Sequence, residues 1–226
     1  MIQNINYRNT EYKTLNSFSS NKKSKNAYVS YRYHKTKENE AKESARALAG
    51  AVIGTAIPLF FFAKKQNKSF LKMHYGLKEI IGVSAGSIIG GVAGGMINSD
   101  KFDRKQKINE GVFQFMNAAI PPAVVIGLSK ITSKIKPLNN NYGKIGSILV
   151  GLIGGMFAAA RLSNFICDPK DKVPDRKLTI KDSLANIDDA IGTLAITDIP
   201  AFKNIPVGPL LPPIYILCGY RAGDSN

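Results

Sequence analysis

Long apolar runs separated by short charged segments are the main pattern along this chain of 226 residues. Four of the runs contain no Asp, Glu, Lys or Arg, and they cover residues 47–63, 80–99, 111–129 and 145–160. A helix rises about 1.5 Å per residue, so about 20 residues cross a hydrocarbon core of roughly 30 Å, and about 17 are the lower limit. The first three runs meet this limit, and the fourth extends to about residue 163 when Arg161 reaches the interface with its charge. The pattern predicts four membrane-spanning helices.

The loops between these runs are short and rich in Lys, which predicts two helical hairpins, 36–99 and 100–167. Residues 86–96 and 146–156 are identical at seven of eleven positions, at the same place in each hairpin. A unit of two spans enters and leaves the membrane on the same side, so two such copies would have the same orientation. We therefore expect an all-α polytopic membrane protein built as two tandem hairpins with a parallel internal repeat.

Small residues recur every four positions in the second span of each hairpin. On a helix they form a groove in which the backbone of another helix can lie close, and such contacts drive helix association in a bilayer. Two interpretations are open. The more common one is tight packing within one chain, and the other is a seam between copies of the chain or the lining of a pore. The candidate helix-packing residues are Gly82, Gly86, Gly90, Gly94, Ser147, Gly151, Gly155 and Ala159.

The segments outside the hairpins have different patterns. Residues 1–35 are rich in Asn, Ser, Lys and Tyr without apolar periodicity, which predicts a disordered basic tail. From residue 36, good helix formers predict a helix that continues into the first span. Residues 168–226 begin with a charged connector, and apolar positions at helical spacing predict an amphipathic helix over about 179–197. The apolar stretch 204–220 contains four prolines, which favours a re-entrant or interfacial segment over a fifth span.

The composition agrees with a membrane protein and excludes two other classes. With 44% hydrophobic residues the chain is not disordered as a whole, and two Cys are too few for a disulfide framework. The net charge is +15, and basic residues flank the spans on both sides, which suits the lipid bilayer and anionic lipids in particular. Near the membrane ends, 13 Lys and Arg lie on the amino-terminal side and 9 on the other. The positive-inside rule thus favours an inside amino terminus, in the inner membrane if the source is bacterial.

Candidate chemistry is sparse in this sequence. The two His residues have no second ligand at metal spacing and no phosphate-binding loop occurs, so we expect neither a metal nor a cofactor. The aromatic and basic residues of 28–35 are more typical of a headgroup region than of a nucleic-acid site. The best polar candidates are Asp189 and Asp198. Within the membrane an ionised Asp costs about 2.5–3.5 kcal/mol, so its presence there would indicate a function. We favour a position at the headgroup level, where an Asp needs no functional explanation.

These features favour a non-enzymatic multi-pass membrane protein with a structural or interaction role. It would pack through its Gly-rich helix faces, with a second copy or with another membrane protein as the partner. The alternative is a small channel or transporter with a path between the two hairpins. The lack of charge within the four spans argues against it, because ion paths usually contain polar or ionisable groups. A membrane-embedded enzyme that uses Asp189 or Asp198 is the least favoured hypothesis.

Overall fold

Long helices make up the part of the chain that the computed structural model describes, which is residues 37–70, 72–170, 172 and 207–225. Within these ranges there are helices and no strands, so the predicted all-α class is confirmed. The predicted tail, the predicted amphipathic helix and both Asp189 and Asp198 lie outside the described residues. The helices are α1 Lys37–Gln66, α2 Leu77–Gly95, α3 Lys101–Thr132, α4 Asn141–Cys167 and α5 Val207–Asp224, with a 3-10 helix at Lys136–Leu138.

Four helices in the described part of the chain are long and apolar enough to cross a membrane, as predicted. They are Glu40–Gln66, Leu77–Gly95, Asp103–Thr132 and Asn141–Cys167. The faces that point away from the bundle carry large apolar side chains, such as Ile57 and Phe60 of α1, which are 66% and 72% exposed. Ile153 and Phe157 of α4 are also more than half exposed. Soluble monomers rarely expose continuous apolar patches, whereas hydrocarbon solvates such faces well, so the fold is consistent with a multi-pass membrane protein.

Polar side chains fix several of the helix ends. The Asp100 carboxylate accepts a hydrogen bond from the backbone N–H of Asp103 at 2.9 Å and so caps the start of α3. Asn140 caps α4 in the same way. The α2 helix ends at Gly95, four residues before the end of the predicted span 80–99. The cause is a turn in which Asn98 has the left-handed φ of 63° and Ser99 Oγ donates to the carbonyl of Gly95 at 2.6 Å.

Each helix has a defined direction in the bundle. α1 packs mostly on α2 and α3 mostly on α4, while α5 packs on α1 and α2. One end of the bundle, which we call the proximal end, contains the starts of α1 and α3 and the ends of α2, α4 and α5. Glu43, Ser99, Lys107 and Ser225 contact one another there. At the opposite, distal end the α1–α2 loop packs on the start of α5.

The apolar stretch 204–220, for which the sequence favours a re-entrant or interfacial segment, contains a long helix. α5 begins at Val207 and continues through Pro212 and Pro213. These prolines remove N–H groups that would bond carbonyls of the first turn only, so most of the helical ladder is kept. Leu211 is fully buried and Tyr215 is 2% exposed, and their packing against α1 and α2 offsets the lost hydrogen bonds. α5 extends along the whole of α2 and is parallel to it.

Candidate functional site: glycine faces and a buried polar row

One face of α2 lies directly against the backbone of α1. A Cβ placed on Gly90 would overlap the carbonyl oxygen of Gly50, and it would lie 3.0 Å from Cα of Gly54. A Cβ on Gly86 would likewise overlap the carbonyl oxygen of Gly54. No side chain larger than hydrogen fits at these positions at the present helix separation. The other two predicted residues of this face are Gly82, which lies against the Phe62 ring, and Gly94, which lies against the Arg46 carbonyl.

A second face of α2 is covered by α5 in the same manner. A Cβ on Gly91 would overlap the carbonyl oxygen of Gly219, and Gly95 meets Gly223 equally closely. The Ser87 hydroxyl donates to the backbone carbonyl of Tyr215 at 2.5 Å, inside the buried contact. α2 is thus the central helix, with one backbone-to-backbone contact on each side, and the predicted stripe is covered within the chain.

The predicted face of α4 lies against α3. The Ser147 and Thr132 hydroxyls are 3.0 Å apart, and a Cβ on Gly151 would lie 2.9 Å from Cα of Val125. The remaining predicted residues of this face are Gly155, which lies against Pro121, and Ala159, which is fully buried. Each predicted face therefore contacts a helix of the same chain.

The outer face of α4 also carries small residues, but nothing in the described part of the chain covers it. No described heavy atom lies within 4 Å of a Cβ placed on Gly146 or on Gly154. Val150, between them, is 63% exposed, and Ala158 is exposed one turn later. These positions are spaced by four residues, so they form one stripe, which we call the outer α4 stripe. Gly127 of α3 is equally open, and the exposed Ala123 lies four residues before it, but this face has no second open glycine.

An ion pair lies buried at the proximal end. Lys107 Nζ is 2.9 Å from Glu43 Oε1, and the two side chains are 0% and 7% exposed. Lys107 also donates to the backbone carbonyl of Ser225 at 2.7 Å, and the Ser99 hydroxyl oxygen lies 3.0 Å from Glu43 Oε1. These contacts join α1, α3, the α2–α3 turn and the end of α5. A desolvated pair of this kind is costly to break, because one unpaired charge would stay in the protein interior.

Further polar contacts surround this pair. The Ser44 hydroxyl donates to the Asp224 carboxylate and is 3.4 Å from the Tyr220 hydroxyl, which joins α1 to the end of α5. The Arg46 guanidinium donates to the backbone carbonyl of Ile97 at 3.2 Å. The proximal end is therefore held by side-chain hydrogen bonds and charge, in contrast to the glycine contacts deeper in the bundle.

A row of polar side chains continues from this cluster along α3. Lys107, Gln114 and Asn117 are all at most 5% exposed, and Glu110 lies between them and accepts from the Gln114 amide at 2.8 Å. Neither polar atom of the Asn117 amide has a hydrogen-bond partner among the described residues. This row was not predicted from the sequence. Its signal was present as the spacing 107, 110, 114 and 117, which places the four side chains on one helix face.

A buried hydroxyl lies at the distal end, in the loop that precedes α2. Tyr75 is 2% exposed and packs among apolar side chains of α1, α2, α3 and α5. Its hydroxyl has no hydrogen-bond partner in the described part of the chain. Burial raises the pKa of Tyr75 to about 12, because the ionised form would lose its hydration.

An apolar groove of about 480 Å³ opens on one side of the bundle. Its walls are formed by α2 and α3, with one side chain from the end of α4. Every lining side chain is apolar, so this groove does not suit an ion path of the kind proposed from the sequence. Representative lining residues are Ile88, Val92, Ile108, Val112, Phe115 and Ile166.

The described residues contain no group of three or more His, Cys, Asp or Glu side chains that could hold a metal ion. Cys167 and Cys218 are not joined by a disulfide. Comparison of the chain with protein families, with curated proteins and with solved structures gives no match.

Proposed function

We propose that this chain is a non-enzymatic integral membrane protein that works by associating with another membrane helix. The part of the molecule that supports a passive role is its core, in which the glycine faces of α2 touch the backbones of α1 and α5. Such a core holds one arrangement of helices and leaves little room for movement. A structural or interaction role fits this rigidity better than a transport cycle does.

The outer α4 stripe carries the proposal. In the predicted repeat, Gly146 and Gly154 correspond to Gly86 and Gly94, which lie against the backbone of α1. α2 is therefore covered on both of its glycine faces, whereas α4 is covered on one. Lipid contact gains nothing from glycine, but a partner helix can approach its backbone closely. The partner is a second copy of this chain or a different membrane protein with a small-residue face.

A pair of leucine substitutions tests the association. The double variant Gly146→Leu/Gly154→Leu fills the groove at two positions where an added Cβ meets no described atom, so we expect a folded protein that no longer associates. Gly127→Leu, at the other open glycine, is the matched control. Association is measured by single-molecule photobleaching in liposomes over a range of protein-to-lipid ratios, and by co-purification from native membranes. Equal association of the wild type and the double variant in both measurements would refute the proposal.

A channel or transporter is the second candidate, and the polar row of α3 is the observation that favours it. Buried polar groups inside a spanning helix are costly and commonly mark a solute path, and the Asn117 amide lacks a partner in the described residues. This candidate predicts flux of a small solute or ion through liposomes that contain the purified protein. Asn117→Leu should abolish the flux and Gln66→Leu, at the end of α1, should not. Flux that is absent, or equal in wild type and Asn117→Leu, would exclude this path.

A further inference from the structure

Basic side chains lie at the proximal mouth of the apolar groove. Ile108, Val112 and Phe115 of α3 line the groove, and Lys101 and Lys105 precede them at intervals of three and four residues. This spacing places the two lysines on the same face of α3, one and two turns beyond the apolar wall. Both lysine side chains are exposed. Their neighbour Asp103 falls on the opposite face of α3, and the Asp100 carboxylate is engaged as the helix cap.

The length of the groove corresponds to one leaflet of a bilayer. It extends from Ala85 of α2 to Met96, the residue after the end of α2, and along α3 from Ile108 to Met116. At about 1.5 Å per residue these walls measure about 16 Å and about 12 Å. Half of a hydrocarbon core of roughly 30 Å is about 15 Å. The groove thus begins near the middle of the membrane and ends where phosphate headgroups of the proximal leaflet lie, at the level of the two lysines.

We infer that this groove is a binding site for an anionic phospholipid of the proximal leaflet. One acyl chain occupies the apolar groove, and Lys101 and Lys105 bind the phosphate and the additional negative charge of the headgroup. The volume of about 480 Å³ is in the range of about 300–1,000 Å³ that is typical of ligand sites. A neutral phospholipid would fill the groove equally well but would gain less from the lysines. The inference rests on the membrane placement and is independent of association through α4.

Native mass spectrometry of the protein released from detergent measures the retained lipid directly. Phosphatidylglycerol and phosphatidylcholine with the same acyl chains are titrated in competition. Each surface charge contributes about fivefold to anionic-lipid binding, so we expect the wild type to retain phosphatidylglycerol about 25-fold better than phosphatidylcholine. Lys101→Gln/Lys105→Gln should remove most of this preference. The matched control is Lys64→Gln/Lys65→Gln, which removes two exposed lysines at the distal end of α1 and should keep the preference.

Filling the groove tests the acyl part of the site. Two variants fill the groove at opposite ends, Ala93→Phe and Ala85→Phe. Each should reduce retention of both lipids, and the test requires only that one of the two variants folds. Equal retention of the two lipids by the wild type would overturn the inference, as would an equal effect of the proximal and distal lysine pairs. Full lipid retention in a folded groove-filled variant would also overturn it. A wild type that stays dispersed in buffer without detergent and retains neither lipid would instead refute the membrane placement.

Discussion

At the scale of single residues, glycines that are alike in the sequence have opposite surroundings in the fold. We expect Gly90→Ala to destabilise the protein by about 1–3 kcal/mol or more, because its methyl group would overlap the carbonyl of Gly50 and force α1 away from α2. Gly146→Ala meets no described atom and should be neutral or stabilise α4 by up to about 1 kcal/mol. Thermal unfolding in one detergent measures both. Equal melting temperatures for the two variants would contradict the described α1–α2 contact.

Tyr75 gives a prediction about pH at the same scale. Its pKa is raised to about 12 in the fold and is about 10 in an unfolded chain. The fold therefore favours the neutral phenol, and this contribution is complete below pH 10 and lost as the pH rises to about 12. Over that range the wild type should lose up to about 3 kcal/mol more stability than Tyr75→Phe. At pH 7 the variant should be at least as stable, because the buried hydroxyl has no described partner.

Chemical denaturation of both proteins at pH 7, 10 and 11.5 checks this difference. All other groups are common to wild type and variant, so only the change in the stability difference between them reports on Tyr75. A difference that stays constant from pH 7 to pH 11.5 would show that the Tyr75 hydroxyl is hydrated in the fold.

At the scale of helices, the buried ion pair joins elements that otherwise share little contact. Glu43 belongs to α1 and Lys107 to α3, and these helices pack mainly on other partners. Glu43→Gln or Lys107→Met alone should cost about 3–5 kcal/mol, since each leaves one polar or charged group buried without its partner. The double variant should regain most of this loss. Glu40→Gln, at an exposed position of α1, should change stability by less than about 0.5 kcal/mol.

A double-mutant cycle from thermal melts separates the pair from the individual side chains. An interaction energy near zero would mean that Glu43 and Lys107 act independently and that the distance of 2.9 Å has no energetic consequence.

The sequence was sufficient for the helices whose pattern is local. The uncharged runs predicted α1 to α4, and the charged start of α1 followed from helix propensity. α5 was missed as a continuous helix because its prolines are unfavourable locally, and the compensating burial of Leu211 and Tyr215 depends on α1 and α2. Within the candidate site, the periodicity found the small-residue faces but could not show which helix covers each of them. The predicted repeat stays a prediction.

The polar row of α3 was overlooked for a different physical reason. Gln114 and Asn117 carry no charge, so a search for runs without ionisable residues counts them as part of a span. Glu43 and Lys107 are 64 residues apart, and nothing local to either residue indicates that they meet. Pairing of distant residues is set by the packing of whole helices, and a single sequence contains no direct record of it.

At the scale of the whole molecule, the directions of the helices constrain how the chain crosses the membrane. α4 ends at the proximal end, where Cys167 Sγ is 3.8 Å from the carbonyl of Asn109. α5 begins at the distal end and finishes at the proximal end, beside Lys107. The end of α4 and the start of α5 therefore lie at opposite ends of the bundle, and both ends of the described chain lie at the proximal end.

Cysteine labelling in sealed vesicles tests this topology. In a background with Cys167→Ser and Cys218→Ser, single cysteines are placed at Lys170 and Ser225, at the proximal end, and at Asn139 and Gly208, at the distal end. A membrane-impermeant maleimide should label the first two from one side and the last two only from the other. Gly208→Cys is the most informative variant. Its labelling from the same side as Lys170→Cys would mean that α5 does not cross the membrane beside α2. In that case the backbone contacts of Gly219 and Gly223 with α2 could not form in the membrane.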